Sequence, residues 1–272
     1  MTQKRSYRIS EITPYINWLY FFHAWSMNGK AREEQLRLKD EALQLLQSWE
    51  TQYQCHALFG VFDANSDGDD LLLGGIRMPL LRQQKPSGEG GPCLCLADFV
   101  RPLASGVPDK AGAFATSVDA ELENSHRRDA YDRMMTQILA DRLAEATAER
   151  MHLEVRKTYW GYAPDEDLST EALLLEHYQG IRPAIGYPSL PDTSANFLLD
   201  RLLDMKQIGI RLVSTGMMTP HASVSGLMLA HPEARYFDLG KIGEDQLKDY
   251  AKRRGVPVEM MRRFLLSSLL KR

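Results

Sequence analysis

Residues 180–192 read Gly-Ile-Arg-Pro-Ala-Ile-Gly-Tyr-Pro-Ser-Leu-Pro-Asp. Glycine and proline at this density fit neither a helix interior nor a central strand, because proline lacks a backbone N–H and fixes φ. The composition predicts a stiff, extended, exposed loop. Two of its side chains are suited to recognition. Arg182 offers a planar fork of N–H donors that matches a carboxylate. Tyr187 offers an aromatic face with a hydroxyl at its edge. A rigid loop of this kind fits a positioning role. It fits equally a surface turn with a solvated arginine, and the pattern alone favours neither.

Other residues that invite a chemical reading carry less. Asp63-Ala64-Asn65-Ser66-Asp67-Gly68 opens like a calcium-binding loop. The twelfth place, which needs a bidentate glutamate, holds Gly74, so the letters read as an Asp/Asn/Gly-rich turn. Cys93-Leu94-Cys95 lacks the two-residue spacer of zinc or dithiol sites, and alternation within a strand accounts for it. His23 stands among Phe21, Phe22 and Trp25, where packing into the core is the simpler reading. Ser223 and Ser225 follow His221 but have no evident base-orienting partner, so they read as strand residues. The sequence carries no phosphate-cradling glycine motif, paired-histidine metal motif or nucleophile elbow.

The elements that would position these residues show in the hydrophobic spacing. Leu36, Leu43, Leu46 and Trp49 predict a helix over 33–50. Tyr131, Met134, Ile138, Leu139 and Leu143 predict another within 121–155. Two more are predicted over 243–253 and 257–269, split by Gly255 and Pro257. Strand-like runs lie at 57–62, 93–100, 111–118, 209–214 and 222–230. Strands and helices do not alternate strictly, which favours α+β over a doubly wound sheet. Lys85–Pro92 reads as a loop.

With 272 residues, 44% hydrophobic and 25% charged, the chain has the composition of a globular protein. A net charge of −3 lacks the basic surplus of a nucleic-acid binder, and Lys252-Arg253-Arg254 reads as a solvated helix face. No signal-peptide core follows the first residues, and no stretch approaches the ~18 apolar residues of a membrane span. Three cysteines, an odd and low count, point to a reducing cytoplasm. No nucleic-acid or membrane partner and no metal are expected.

The 182–188 stretch is similar to the Arg-Pro-Ala-x-Gly-Tyr-Pro motif of the reactivation, or activation, domain of cobalamin-dependent methionine synthase. Further stretches fit that family in the same order. Trp18, Phe21, Phe22, Trp25, Ser26, Gly29 and Lys30 come first, then Cys95-Leu96-Ala97-Asp98-Phe99-Val100 and Ala140-Asp141-Arg142-Leu143-Ala144-Glu145-Ala146. Tyr159-Trp160-Gly161-Tyr162-Ala163-Pro164, Ala222-Ser223-Val224-Ser225-Gly226, His231-Pro232 and Asp249-Tyr250-Ala251 follow. The resemblance is strongest over 7–270. It implies one domain over 1–272, of α+β class, with a twisted antiparallel sheet flanked by helices and a ligand in a shallow groove. It also implies a stand-alone module that binds S-adenosylmethionine and supports reductive methylation of cobalamin. The cobalamin would be carried by the cobalamin-binding module of a partner, with a flavodoxin-like electron donor. A sulfonium is its own leaving group, so such a domain need only orient, and no catalytic acid, base or nucleophile is expected.

Residue by residue, the resemblance implies that Arg182 takes the methionyl carboxylate and that the backbone at Ala184 approaches the ligand. Glu145 matches an acidic residue near the ligand, Tyr236 and Phe237 match a Tyr-Tyr pair beside it, and Tyr187 matches a residue facing cobalamin. Without the family, Glu145 reads as an exposed helix residue, and Tyr236 and Phe237 as a strand packed into the core. Asn17 stands where the family has an Asp that can pair with the ligand ammonium. A neutral bond there is weaker by ~1 kcal/mol, or roughly fivefold to tenfold in affinity. Phe237 lacks the family's hydroxyl, and Leu190 and Thr193 replace a Cys and a His. These departures motivate two alternatives: a partner of another corrinoid methyltransferase, or an interaction paralogue that no longer binds S-adenosylmethionine.

Overall fold

The computed structural model describes residues 2–86, 88, 90–125 and 129–270. Strand β1 (Thr2–Arg8) leads into helices α1 (Ile9–Ile12), α2 (Trp18–Ala24) and α3 (Arg32–Trp49). Strands β2 (Gln54–Asp67), β3 (Asp70–Leu73) and β4 (Ile76–Pro79) form a meander, and β5 (Asp109–Val118) follows. Helix α4 (Leu122–Ser125) precedes the long α5 (Ala130–Glu154). Next come α6 (Thr170–Leu174), α7 (Asn196–Leu203), the two-residue strands β6 (Arg211–Leu212) and β7 (Met218–Thr219), and β8 (Ser223–Met228). Helices α8 (Glu244–Arg254) and α9 (Val258–Phe264) follow, and a 3-10 turn at Leu266–Ser268 comes after them.

The main sheet is antiparallel and curled, in the order β4-β3-β2-β5-β8. β1 and β3 share one edge of the long β2: β1 pairs with its first half and β3 with its last four residues. β5 runs along the other edge from Cys55↔Val118 to Ala64↔Asp109. One face is covered by α1, α3 and α5 through Ile12, Trp49, Phe114, Leu143 and Met151. The other is covered by α7 and the loops through Leu71, Met78, Leu199, Ile208 and Leu227. With both faces covered, β5 is buried at nearly every position instead of alternating.

Helix α5 is capped by the Asp129 side chain, which accepts from the Asp132 N–H at 2.9 Å. Leu139, Ala140, Leu143, Ala144 and Met151 are buried in the core against the sheet. Asp141, Glu145, Glu149, His152 and Arg156 recur every three or four residues and so lie along one stripe.

Residues 33–50, 111–118, 222–230 and 243–253 fold as the spacing predicts, as α3, β5, β8 and α8. The run 57–62 is only the middle of β2. The predicted helix over 121–155 divides into α4 and α5, with 126–128 outside the described residues; Ser87 and Glu89 of the Lys85–Pro92 loop also lie outside them.

Several expectations are corrected. Residues 93–100 make no strand: Cys95 bridges Arg82 alone, and Leu96–Phe99 is a 3-10 turn. Asp98 holds that turn by accepting from the Cys95 N–H at 2.8 Å and from Arg82 at 2.6 and 2.8 Å. The Asp63–Asp67 segment is strand, and the turn comes only at Gly68-Asp69. Of 209–214, only Arg211–Leu212 is strand, and the 257–269 helix stops at Phe264. Of Lys252-Arg253-Arg254 only Lys252 is solvated: Arg253 donates to Asp70 at 2.6 Å and Arg254 to Ser194 at 2.9 Å.

The 180–192 loop is exposed only at Gly186-Tyr187-Pro188, not along its length. Ile181, Ile185, Leu190 and Asp192 are buried. The loop runs along the outer edge of β8, with Ile181 N–H donating to Leu229 O (2.9 Å), Leu227 N–H to Pro183 O (3.0 Å) and Ile185 N–H to Ser225 O (2.8 Å). Pro183 thus stands where only its carbonyl is needed. The approach is so close that a Cβ on Gly226 would lie 2.1 Å from Pro183 O and 2.9 Å from Ala184 Cα. Gly226→Ala should therefore push the loop off β8 and cost about 2–3 kcal/mol in chemical denaturation. An unchanged stability would contradict the seating of the loop.

Candidate functional site

A half-open groove of about 750 Å³ lies where α5, α2, the 182–189 loop and the 236–238 segment meet. Its lining includes Asn17, Glu145, Arg182, Ala184, Tyr187, Tyr236 and Phe237, so all seven residues singled out in the sequence surround one space. It also includes Asp141, Arg142, Glu149, Glu176 and Asp238.

Arg182 sits low in this groove and is not solvated. Its Nη2 donates to Glu149 Oε2 at 2.9 Å, and its guanidinium stands 5.7 Å from the Phe114 ring centroid. Its backbone N–H donates to the Tyr236 hydroxyl at 2.9 Å. Burial works against the charge, but Glu149 and the nearby Tyr178 and Tyr236 hold its pKa above the usual arginine value, so it stays charged. Glu149 is the residue that sequence reasoning missed. Its place four residues after Glu145, on the same stripe of α5, is the signal that could have found it.

Glu145 is not a free carboxylate. Arg142 forks onto it at 2.9 and 3.1 Å, and the Tyr187 hydroxyl donates to it at 2.7 Å. Burial, reinforced by the Glu145 charge, raises the Tyr187 pKa and keeps that hydroxyl protonated. The Tyr187 ring remains 48% exposed at the groove mouth. Asn17 caps α2, its Oδ1 accepting from the Leu19 N–H at 3.1 Å. Tyr236 and Phe237 lie in an irregular segment, not a strand, with Phe237 buried in the core cluster and Tyr236 partly exposed.

One further reading changes: His23 is exposed on the groove wall and bonds Asn28 at 2.8 Å, so it is not a core residue. Leu190 is buried in the core, and Thr193 donates to Thr215 O at 3.0 Å. Ser223 and Ser225 are strand residues of β8, as expected; His221 pairs with Asp141 at 3.0 Å, and the Ser223 hydroxyl donates to Pro220 O.

Behind Arg182 lies a second buried ion pair. Arg156, fully buried, donates to both oxygens of Glu166 at 2.8 Å and stacks 3.9 Å from the Tyr178 ring centroid. It also donates to His152 Nδ1 at 2.8 Å. A guanidinium has no acceptor, so this Nδ1 carries no proton and the neutral ring bears its hydrogen on Nε2. Among the described residues no cluster of three His, Cys, Asp or Glu side chains is arranged to hold a metal, and no helix is long and apolar enough to cross a membrane.

Residues 8–255 match the family described as vitamin B12-dependent methionine synthase, activation domain. The fold is similar to a crystal structure described as the MetH reactivation domain bound to AdoHcy, with a TM-score of 0.93 and 37% sequence identity, covering 100% of this chain and 91% of that one.

The network behind the groove has a pH signature. Burial, then the charges of Arg156 and Arg182, hold the His152 pKa well below the ordinary histidine value. The unfolded chain takes up that proton below about pH 6.5, while the folded chain does not. Stability is therefore complete above about pH 6.5 and falls on acidification, by up to ~1.4 kcal/mol per pH unit from this group. Urea denaturation between pH 7.5 and 5.5 should show a steeper decline in the wild type than in His152→Gln. Equal slopes would mean that His152 titrates alike in both states.

Proposed function

This chain belongs to the activation-domain family of vitamin B12-dependent methionine synthases, and from that premise we propose that it is a reactivation module that binds S-adenosylmethionine in the groove. The proposal takes residues 1–272 as one domain acting as a stand-alone chain in the cytoplasm. Its partners would be the cobalamin-binding module of a methionine synthase and a flavodoxin-like electron donor. The observation that carries the reading is a charged, buried guanidinium, Arg182, lining a half-open groove large enough for a nucleoside-sized ligand.

The side chains present fit such a ligand. Arg182 retains donor capacity beyond its bond to Glu149: its Nε is buried without a hydrogen-bond partner. That suits the carboxylate of the methionyl end. The irregular backbone around Ala184, pinned to Gly226 of β8, leaves a small side chain where a ligand can lie close. Tyr236 and Phe237 would flank the ligand. Bound there, S-adenosylmethionine would supply a methyl group on a sulfonium leaving group to reduced cobalamin carried by the partner.

The work left to this chain is orientation. Glu145 is neutralised by Arg142 and Tyr187, so it serves as a fixed acceptor in the wall and not as a mobile base. Tyr187, with its hydroxyl anchored on Glu145 and its ring at the mouth, is placed to face the cobalamin of a docked partner. Of the sequence departures, Phe237 is packed in the core, where a missing hydroxyl leaves no buried polar atom without a partner, which favours retained ligand binding over a paralogue that has lost it. Asn17 keeps the N-cap of α2 but forgoes the charge an aspartate would bring to the ligand ammonium.

Calorimetric titration with S-adenosylmethionine, up to millimolar ligand, should show saturable binding. Arg182→Ala should weaken it by 100-fold or more, since a charge-assisted pair at a buried site is worth about 3 kcal/mol. Circular dichroism would check that the variant is folded. Undiminished affinity in the folded variant would remove Arg182 from the site, and no binding in the wild type would overturn the reading.

A further inference from the structure

Asn28 alone among the asparagines precedes a glycine. The pair lies in the turn between α2 and α3, and both residues are exposed. Asn17, Asn65 and Asn196 have their side chains committed to the fold. Asn17 Oδ1 caps α2. Asn65 Nδ2 donates to the carbonyls of Arg101 and Val107, each at 3.0 Å. Asn196 is buried, donating to Gly216 O at 2.8 Å and accepting from the Ser225 hydroxyl. The Asn28 amide instead meets an exposed imidazole: its Nδ2 donates to His23 Nδ1 at 2.8 Å. In the neutral ring that Nδ1 therefore carries no proton.

The turn holds this contact and leaves the next amide free. Met27 N–H donates to Phe22 O at 2.9 Å, and Lys30 N–H to Met27 O at 3.1 Å. Gln35 Nε2 donates to the same Met27 carbonyl at 2.9 Å. Among the described residues, the Gly29 N–H between them donates to no carbonyl. Gly29 lies at φ +78°, and a Cβ built on it would meet nothing within 4 Å, so open space surrounds the residue.

We propose that Asn28 is a self-modifying site, where the Gly29 nitrogen displaces the side-chain amide and His23 assists the departure of ammonia. The Gly29 nitrogen loses its proton to water and bonds to Asn28 Cγ, closing a succinimide ring. The bond from Cγ to Nδ2 breaks, and that nitrogen leaves as ammonia. It is the atom His23 touches. An imidazole that has taken a proton from solvent can pass it to the leaving nitrogen as the bond breaks. Water then opens the ring at either carbonyl, leaving aspartate or isoaspartate at position 28. The net change is hydrolysis of an amide, and no oxidant, reductant or cofactor takes part. Glycine suits the attacking position because no side chain crowds its nitrogen.

The product alters the groove, since His23 is part of its wall. Aspartate presents acceptors where the amide presented a donor, so a neutral His23 must carry its hydrogen on Nδ1 to keep the contact. Isoaspartate also adds a methylene to the main chain just after α2, the helix that brings Tyr20 and His23 to the groove. Conversion therefore couples the age of a molecule to the state of its groove wall, whatever ligand the groove takes.

The full chain, aged at neutral pH and physiological temperature and mapped by mass spectrometry after digestion, should show aspartate and isoaspartate at position 28 before conversion at Asn17, Asn65 or Asn196. His23→Gln, checked for folding by circular dichroism, should slow that conversion by about tenfold or more, a modest share of what a placed general acid supplies. Nitrogen-15 NMR at alkaline pH, where imidazoles are neutral, should find the His23 hydrogen on Nε2 in the wild type and on Nδ1 in Asn28→Asp. Conversion at Asn28 no faster than at Asn65 would overturn the proposal. So would an unchanged rate in folded His23→Gln, or the same tautomer in both proteins. The mapping and the NMR comparison decide the matter even if His23→Gln does not fold.

Discussion

A guanidinium taken out of water needs a charge to meet it, and that need organises this molecule around Arg182. The partner is Glu149, on a helix distant in sequence, so the loop and α5 are brought within hydrogen-bonding distance of each other. The loop can reach that position only by lying along β8, which needs a residue without a side chain at Gly226. The Tyr236 hydroxyl, accepting from the Arg182 N–H, ties a fourth segment to the same point. Strand, loop, helix and the 236–238 segment thus share one origin, and the groove is the space left between them.

Helix α5 makes this possible because it is buried on one side and polar on another. Its alanines let it approach the sheet closely, and Thr116 donates to the carbonyl of Ala144 across that contact. Its polar stripe runs from Asp141 to His152 and continues to Arg156 just beyond the helix, with its upper part in the groove and its lower part in the sealed network of His152, Arg156 and Glu166. In the groove five carboxylates stand against two guanidinium groups, Arg142 and Arg182. An acidic lining of this kind suits a ligand with a surplus of positive charge, and an S-adenosyl sulfonium with its free ammonium has one.

How much of this the sequence discloses depends on whether a residue's partners are local. Helix α3 meets the core along one stripe, so its Leu and Trp spacing is plain. Helix α5 is buried over most of its surface, so amphipathic spacing cannot say which of its acids face the groove, and Glu149 went unread. Residues 93–100 look like a strand by propensity, yet the ion pair between Asp98 and Arg82 folds them into a turn. Arg253 and Arg254 look solvated because Asp70 and Ser194 lie far off in sequence. For the groove itself, composition singles out Arg182 and Tyr187. Asn17, Glu145, Ala184, Tyr236 and Phe237 become visible only through the resemblance to a family, since nothing in their spacing brings them together.

Glu145 is engaged by Arg142 and Tyr187, and that engagement fits the reaction proposed for the groove. A sulfonium departs without protonation, so a mobile proton at Glu145 or Tyr187 would contribute nothing, and both are locked to each other. What such a transfer demands is a donor held still with its reacting end accessible to an acceptor on another protein. Binding the amino-acid end deep, against Arg182, and leaving the mouth open beside Tyr187 meets both demands. Leu19 and Tyr20 are exposed on α2, where Tyr20 joins the groove wall, so the rim offers apolar surface as well. A closed pocket would hold the ligand more tightly and exclude the acceptor. On this reading the half-open shape of the groove is a condition of its function, and the buried pair compensates for the contacts an open mouth gives up.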